Sequence, residues 1–218
     1  MAHTEQTPTE AFAACGRPYH HGDLSRALVL AGRRILEREG PDAMSLRAVA
    51  REAGVSPAAP YHHFKDKGEL LNAVASEGWT VLSAAIAKAR TEAKDPPHAL
   101  NNIGVAYVQF AREHPALYRV MYRSACDRAE MPDHAKKEDS GWRHVRDALV
   151  EAGADPADER ELELATIALW CAAHGVAEMV GFKEFEPLKE AMGEEAFIRA
   201  VLGRVGGHSA HARIPQAA

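Results

Sequence analysis

Two prolines three residues apart, Pro57 and Pro60 in the stretch AGVSPAAPYHHF at 53–64, restrict this chain's fold more than any other feature. The flanking residues repeat apolar positions at helical spacing, so the prolines interrupt what is otherwise helix. Proline lacks the N–H of an intrahelical bond and its ring crowds the preceding turn. The damage is small in the first turn and severe in a helix middle. The arrangement predicts a short helix starting at Ser56, with Ser56 as its cap, Pro57 in the first helical position and Pro60 where the first intrahelical bond would otherwise form. Just upstream, SLRAVAREAG predicts another short helix. Ser45 caps it, Leu46, Val49, Ala50 and Ala53 share one face, and Gly54 supplies a left-handed stop. Two short helices meeting at a tight turn make a helix-turn-helix, with Val55 plugging the turn into the core.

Elsewhere the helical period continues, without internal repeats or alternating strand patterns. Leu24, Leu28, Ala31 and Ile35 predict a first helix, capped by Asp23 and stopped at Gly40-Pro41. Asp66 followed by Glu69 opens a long helix that runs to about Lys94, on the order of 40 Å. After Pro96-Pro97 comes a helix with the stripe Leu100, Ile103, Tyr107 and Phe110, and Pro115 opens a short one, ALYRVMY. Residues 124–140 are poor in apolar side chains and predict a long mobile loop; helices follow at about 141–152, 157–182 and 193–205. The expected fold class is all-α. A three-helix helix-turn-helix unit at 17–82 is joined by the long helix to a helical body at 83–206, with a disordered arm at 1–16 and a disordered tail at 207–218.

A hydrophobic content of 46% supports a real core and argues against wholesale disorder. The first sixteen residues hold no apolar run of signal-peptide length, and no stretch reaches eighteen consecutive apolar residues, so a cytoplasmic chain without a membrane span is expected. The cysteines Cys15, Cys126 and Cys171 are odd in number and scattered, which argues against a disulfide framework or a zinc site. No metal or other cofactor is expected. The net charge is −5, yet residues 15–68 carry nine Lys/Arg against six Asp/Glu, so the acidity lies elsewhere. A basic end on an acidic body fits one polyanion-facing surface.

On that end, Ser56, Ala58 and Ala59 line a turn that leaves room for a base-pair edge, and alanine can touch a thymine methyl. Tyr61, His62 and His63 can donate to phosphates, while Phe64 is expected to turn inward. Adjacent helix positions point about 100° apart, so His62 and His63 cannot both face the core. Lys65 and Lys67 flank the next helix start, where N–H groups and ammonium together favour phosphate. The block SLRAVAREAGVSPAAPYHHFKDKGELL resembles the DNA-binding domain of the TetR family of bacterial transcriptional regulators. The resemblance rests on V-A-x-x-A-G-V-S from Val49 to Ser56, Y-x-H-F from Tyr61 to Phe64, and K-x-x-L from Lys67 to Leu70. RPYHHGDL at 17–24 and LWCAAHG at 169–175 are similar to a subgroup whose ligand-binding domain carries Trp-x-x-x-His-Gly. The resemblance implies an all-helical homodimer that represses genes and releases double-stranded operator DNA when a small molecule binds. By position, Ser45, Arg47, Ser56, Pro57, Ala58 and Ala59 would face the operator, and Tyr61, His63 and Lys67 would hold phosphates. Pro60 stands where leucine is common in the wider family.

In the body, small residues among Leu162, Leu169 and Val176 suit close packing of the 157–182 helix, either within the subunit or between two. Trp170 and His174, four apart, share a helix face and serve either as internal stacking partners or as one wall of a ligand pocket. The pocket reading gathers Tyr107, Phe110, Met121, Tyr122, Trp170 and His174 around a small apolar or aromatic effector. Two rival classes stay open. One is a helical enzyme, although none of the twelve histidines stands in H-E-x-x-H spacing. The other is an adaptor using its helix-turn-helix for protein contacts, which the basic end disfavours.

Overall fold

Most helix boundaries fall where a side chain or a glycine settles a backbone group that the helix itself leaves open. The computed structural model describes residues 21–128 and 138–209, and all regular structure among them is helical. Helix α1 (His21–Glu39) begins two residues before Asp23, which therefore lies inside the first turn instead of capping it. It buries Leu28, Ala31, Ile35 and Leu36 and ends at Gly40. Helix α2 (Leu46–Ala53) is capped by the Ser45 hydroxyl, which accepts the Ala48 N–H at 3.1 Å. At its other end Gly54 takes φ 71°, ψ 30°, a conformation that costs a residue without Cβ nothing. The Gly54 N–H reaches the Arg51 carbonyl at 3.2 Å and the Val55 N–H reaches that of Ala50 at 3.0 Å. These two bonds close the helix, and Val55 packs on the core as the turn requires.

Helix α3 (Lys67–Thr91) is the long one, about 37 Å by its residue count. Helix α4 (Pro96–Glu113) starts at the two prolines themselves, with Asp95 as cap accepting the His98 N–H at 2.9 Å. Helix α5 (Pro115–Arg128) continues through 124–128, where a loop was expected; residues 129–137 lie outside the described residues. Helix α6 (Gly141–Glu151) is capped by Ser140 and α7 (Glu159–Met179) by Asp158. A short turn then leads to α8 (Glu186–Met192), which the periodicity did not predict, and to α9 (Glu194–Ser209). The expected tail is thus helical over 207–209; the arm at 1–16 and residues 210–218 lie outside the described residues.

The head consists of α1, α2 and the first turns of α3, closed over Met44, Leu46, Val49, Phe64, Leu70 and Val74. From there α3 runs on into the body, where Trp79, Leu82 and Ile86 are covered by α4, α5 and α6, and α7 and α9 close over α4. One apolar core runs through both parts. Gly78 lets α3 and α5 approach closely, since a Cβ there would lie 2.5 Å from the Met121 sulfur and 3.0 Å from Leu117. Helix α6 is pinned to α3 at both ends. The Gly141 N–H donates to the buried Ser83 hydroxyl at 2.8 Å, and Arg90 binds Asp147 at 3.1 Å and Glu151 at 2.5 Å. The hydrogen bond from Arg90 holds the Glu151 carboxyl below its usual range.

Candidate DNA-reading face and effector cavity

Residues 56–64 do not form the α-helix expected from Ser56. The Ala59 N–H meets the Ser56 carbonyl at 3.0 Å, Tyr61 meets Ala58 at 3.1 Å and His63 meets Pro60 at 2.9 Å, so Ala59–His62 is a 3₁₀ turn. The reason lies in the prolines. An α-helix starting at Ser56 would need a Pro60 N–H for the Ser56 carbonyl, and none exists. The tighter turn uses the Ala59 N–H instead, and Ser56 contributes its carbonyl, not a side-chain cap.

The segment is held from inside by Pro60 and Phe64, both buried. Outward stand Ser56, Pro57, Ala58, Tyr61 (54% exposed) and His62, while Ala59 and His63 are partly covered. The His63 ring lies 6.4 Å from that of Phe64, and of the two histidines His62 is the exposed one. Lys67 is half-buried as the first residue of α3. Beside it, Asp66 accepts the Glu69 N–H at 2.9 Å and the Glu69 carboxylate returns to the Lys65 N–H at 2.7 Å, a reciprocal cap. Ser45 and Arg47 are exposed at the start of α2. Arg34 and Arg38 of α1 both bind Glu52 of α2, at 3.0 and 3.1 Å, and these hydrogen bonds, Arg34's first, keep its carboxyl below the usual range. The angle between α1 and α2 is thereby tied, and Arg47 is left on the open side.

In the body, the predicted pocket residues separate into two groups. Tyr107, Tyr122, Trp170 and His174 join Tyr118 in a hydrogen-bonded aromatic cluster. The Trp170 indole N–H donates to the Tyr122 hydroxyl at 3.1 Å, and the Tyr107 hydroxyl bonds that of Tyr122. Tyr107 and Tyr118 also meet His174 Nδ1, at 3.2 and 2.5 Å. Burial pushes the titration of both tyrosines upward and that of His174 downward. A neutral His174 protonated on Nε2 offers one acceptor at Nδ1, which suits the nearer hydroxyl, that of Tyr118, while the Tyr107 hydroxyl also has those of Tyr118 and Tyr122 as partners. Tyr118 was not among the expected site residues, although it lies four before Tyr122 on the same helix face. Phe110 and Met121 stand apart from the cluster, the first against His114 and the second against Gly78.

A cavity of about 420 Å³, within the usual size of a small-molecule site, lies between α3, α4, α6, α7 and α9. Its walls include Ile86, Leu100, Ile103, Val145, Leu169 and Leu202, with Tyr107 and Trp170 at the side nearest the aromatic cluster. Of the predicted pocket residues, Tyr107 and Trp170 line it; Phe110, Met121, Tyr122 and His174 do not. Asn101 adds a polar side chain to the wall, and it is already engaged by Arg199 and the Arg199 carbonyl. The contribution of α9 was not anticipated, because a terminal helix folding back over α4 leaves no local mark in the sequence.

Two family descriptions match the two parts of this architecture. Residues 28–74, which hold most of the head, match "Bacterial regulatory proteins, tetR family". Residues 100–203, which hold the aromatic cluster and most of the cavity wall, match "Tetracyclin repressor-like, C-terminal domain". The chain belongs to the TetR family. It is a DNA-binding transcriptional regulator. Solved structures share the fold along nearly the whole length. A Rhodococcus sp. RHA1 protein of unknown function is 27% identical, with a TM-score of 0.61 over 88% of this chain and 98% of that one. A TetR regulator from Streptomyces coelicolor is 19% identical, with a TM-score of 0.61 over 87% and 99%. The TetR family regulator PfmR from Thermus thermophilus is 24% identical, with a TM-score of 0.53 over 82% and 96%. In this TetR-family chain, then, the helix that ends the DNA-binding head is also the helix that walls the cavity.

Proposed function

We propose that this TetR-family protein is a homodimeric repressor that binds an inverted-repeat operator and is released by a small, largely apolar effector. We also assign it to the subgroup marked by Trp170, His174 and Gly175. The observation that carries the proposal is the double use of α3. Lys67, at its first turn, belongs to the reading face, and Ile86, about 28 Å further along the axis, lines the cavity. Ser45, Arg47, Ser56, Pro57, Ala58 and Ala59 face the major groove, and Tyr61, His62, His63 and Lys67 hold the phosphates beside it.

One short reading element contacts too few base pairs to specify a genomic site, so two copies act on two half-sites. The supporting feature is the outer face of α7, where Leu164, Ile167 and Met179 are exposed and a Cβ at Gly175 would meet open space. An effector entering the cavity parts α6 from α4 and α7. Because α6 is pinned to α3, that displacement travels to the head and changes the spacing of the two reading elements. The effector then needs only a higher affinity for the spread state than for the operator-bound one. Linkage makes the effect reciprocal, so operator DNA weakens effector binding by the factor by which effector weakens operator binding. Gel shift with the promoter region upstream of the protein's own gene, followed by calorimetric titration of candidate apolar compounds with and without that duplex, tests both halves. Equal effector affinity in the two titrations would remove the induction model while leaving DNA binding intact.

A further inference from the structure

The reading segment carries almost nothing that recognises a purine by paired hydrogen bonds. From Gly54 to Phe64 the sequence contains no Arg, Lys, Asn, Gln, Asp or Glu. Those are the side chains that bond guanine or adenine bidentately, or accept from the cytosine amino group. Ala58, just before the 3₁₀ turn, and Tyr61, within it, are both exposed. Pro57 is exposed next to Ala58, while Pro60 and Phe64 point into the core. The leading surface is a pyrrolidine ring, a methyl group and a phenol ring, with single hydroxyls at Ser56 and Tyr61. His62 adds an imidazole, whose one N–H makes a single bond where arginine on guanine makes two.

One major-groove feature complements a surface of CH₂ and CH₃ groups. It is the 5-methyl of thymine. We propose that this protein selects its half-sites mainly through thymine methyl groups packed against Pro57 and Ala58, leaving at most a guanine to Arg47 on α2. The proposal rests on the operator-binding reading above and names the base chemistry which that reading leaves open.

The test uses the full-length chain to select duplexes from a randomised pool. The selected site is then remade with deoxyuridine in place of each thymine in turn, which deletes the methyl and nothing else. Binding about fourfold weaker is expected at each thymine under Pro57 or Ala58, the effect of one lost buried methyl. In Ala58→Gly and Pro57→Ala the uracil penalty should shrink at the thymine each side chain touches. Both residues are exposed, and a thymine-to-uracil ratio within each variant is insensitive to a general loss of affinity. A selected site indifferent to every uracil replacement overturns the proposal. So does a penalty that persists undiminished in both variants, because the methyls are then read elsewhere. If no sequence is selected over random DNA, the operator-binding reading itself falls, and this proposal falls with it.

Discussion

Arg47 and Lys67 lie on the same head, yet charge and position give them different tasks. Lys67, at the start of α3 beside the Asp66 cap, is a point charge over a helix N-terminus. Lys67→Ala is expected to weaken binding to every duplex and to lower the slope of log affinity against log salt by about one unit. Arg47→Ala is expected to cost about 1–3 kcal/mol on the operator and much less on random DNA, the mark of a lost base contact. Titrating both variants against both duplexes across a salt series checks the pair, and an equal loss by Arg47→Ala on the two duplexes would make it a phosphate contact. In the body, His174 is depressed from its usual value of 6.5, chiefly by burial and against the opposing pull of Glu178. Its folded-state value therefore lies below its unfolded one, and the unfolded chain takes up the proton first. The stability held by neutral His174 is complete above the unfolded value and is lost as pH falls through the folded one. Melting temperatures between pH 7 and pH 5 should fall more steeply for the native protein than for His174→Gln, which offers the tyrosines an acceptor that does not titrate. Parallel curves would show that His174 is not the titrating group.

At the scale of elements, close helix approach is set by single small residues. Gly78→Ala forces the new methyl against Met121 and Leu117, and a loss of about 1–3 kcal/mol is expected from overpacking. A lower urea midpoint at unchanged slope would record it; an unchanged midpoint would mean that α5 moves aside freely. Much of this architecture was legible beforehand. Ser45, Gly54 and Asp66 announce their caps through local backbone chemistry, and Leu28, Ala31 and Ile35 announce a buried face through spacing alone. The segment from Ser56 to Phe64 was legible as a helical turn but not as the tighter 3₁₀ form. The choice depends on which N–H can reach the Ser56 carbonyl, a competition that apolar periodicity does not record. Helix α8 escaped because seven residues hold too few turns to display a period. The cavity was legible only through Tyr107 and Trp170. Its remaining wall depends on how α9 folds back over α4, where Leu202 fills the space that a Cβ at Gly104 would take.

At the scale of the whole molecule, an uncovered apolar stripe among the described residues runs down α7 through Leu164 and Ile167 to Met179, and further exposed apolar side chains follow at Phe182, Leu188 and Met192. Placing a charge on the α7 stripe tests the dimer without touching the core. Ile167→Glu, at a position 41% exposed in the single chain, is expected to give a folded monomer with far weaker operator affinity. Light scattering and circular dichroism on the same sample check this, and a dimer that survives the substitution would move the interface off α7. The division of labour in the reading segment has a further consequence for how such a protein changes over time. Pro60 and Phe64 fix the turn from within, while Ser56, Pro57, Ala58, Tyr61 and His62 look out, and no side-chain hydrogen bond ties these five to the rest of the described residues. Their exchange leaves the scaffold untouched. Mutation can therefore retarget the molecule to new promoters in small, separately viable steps, with the effector cavity carried along unaltered.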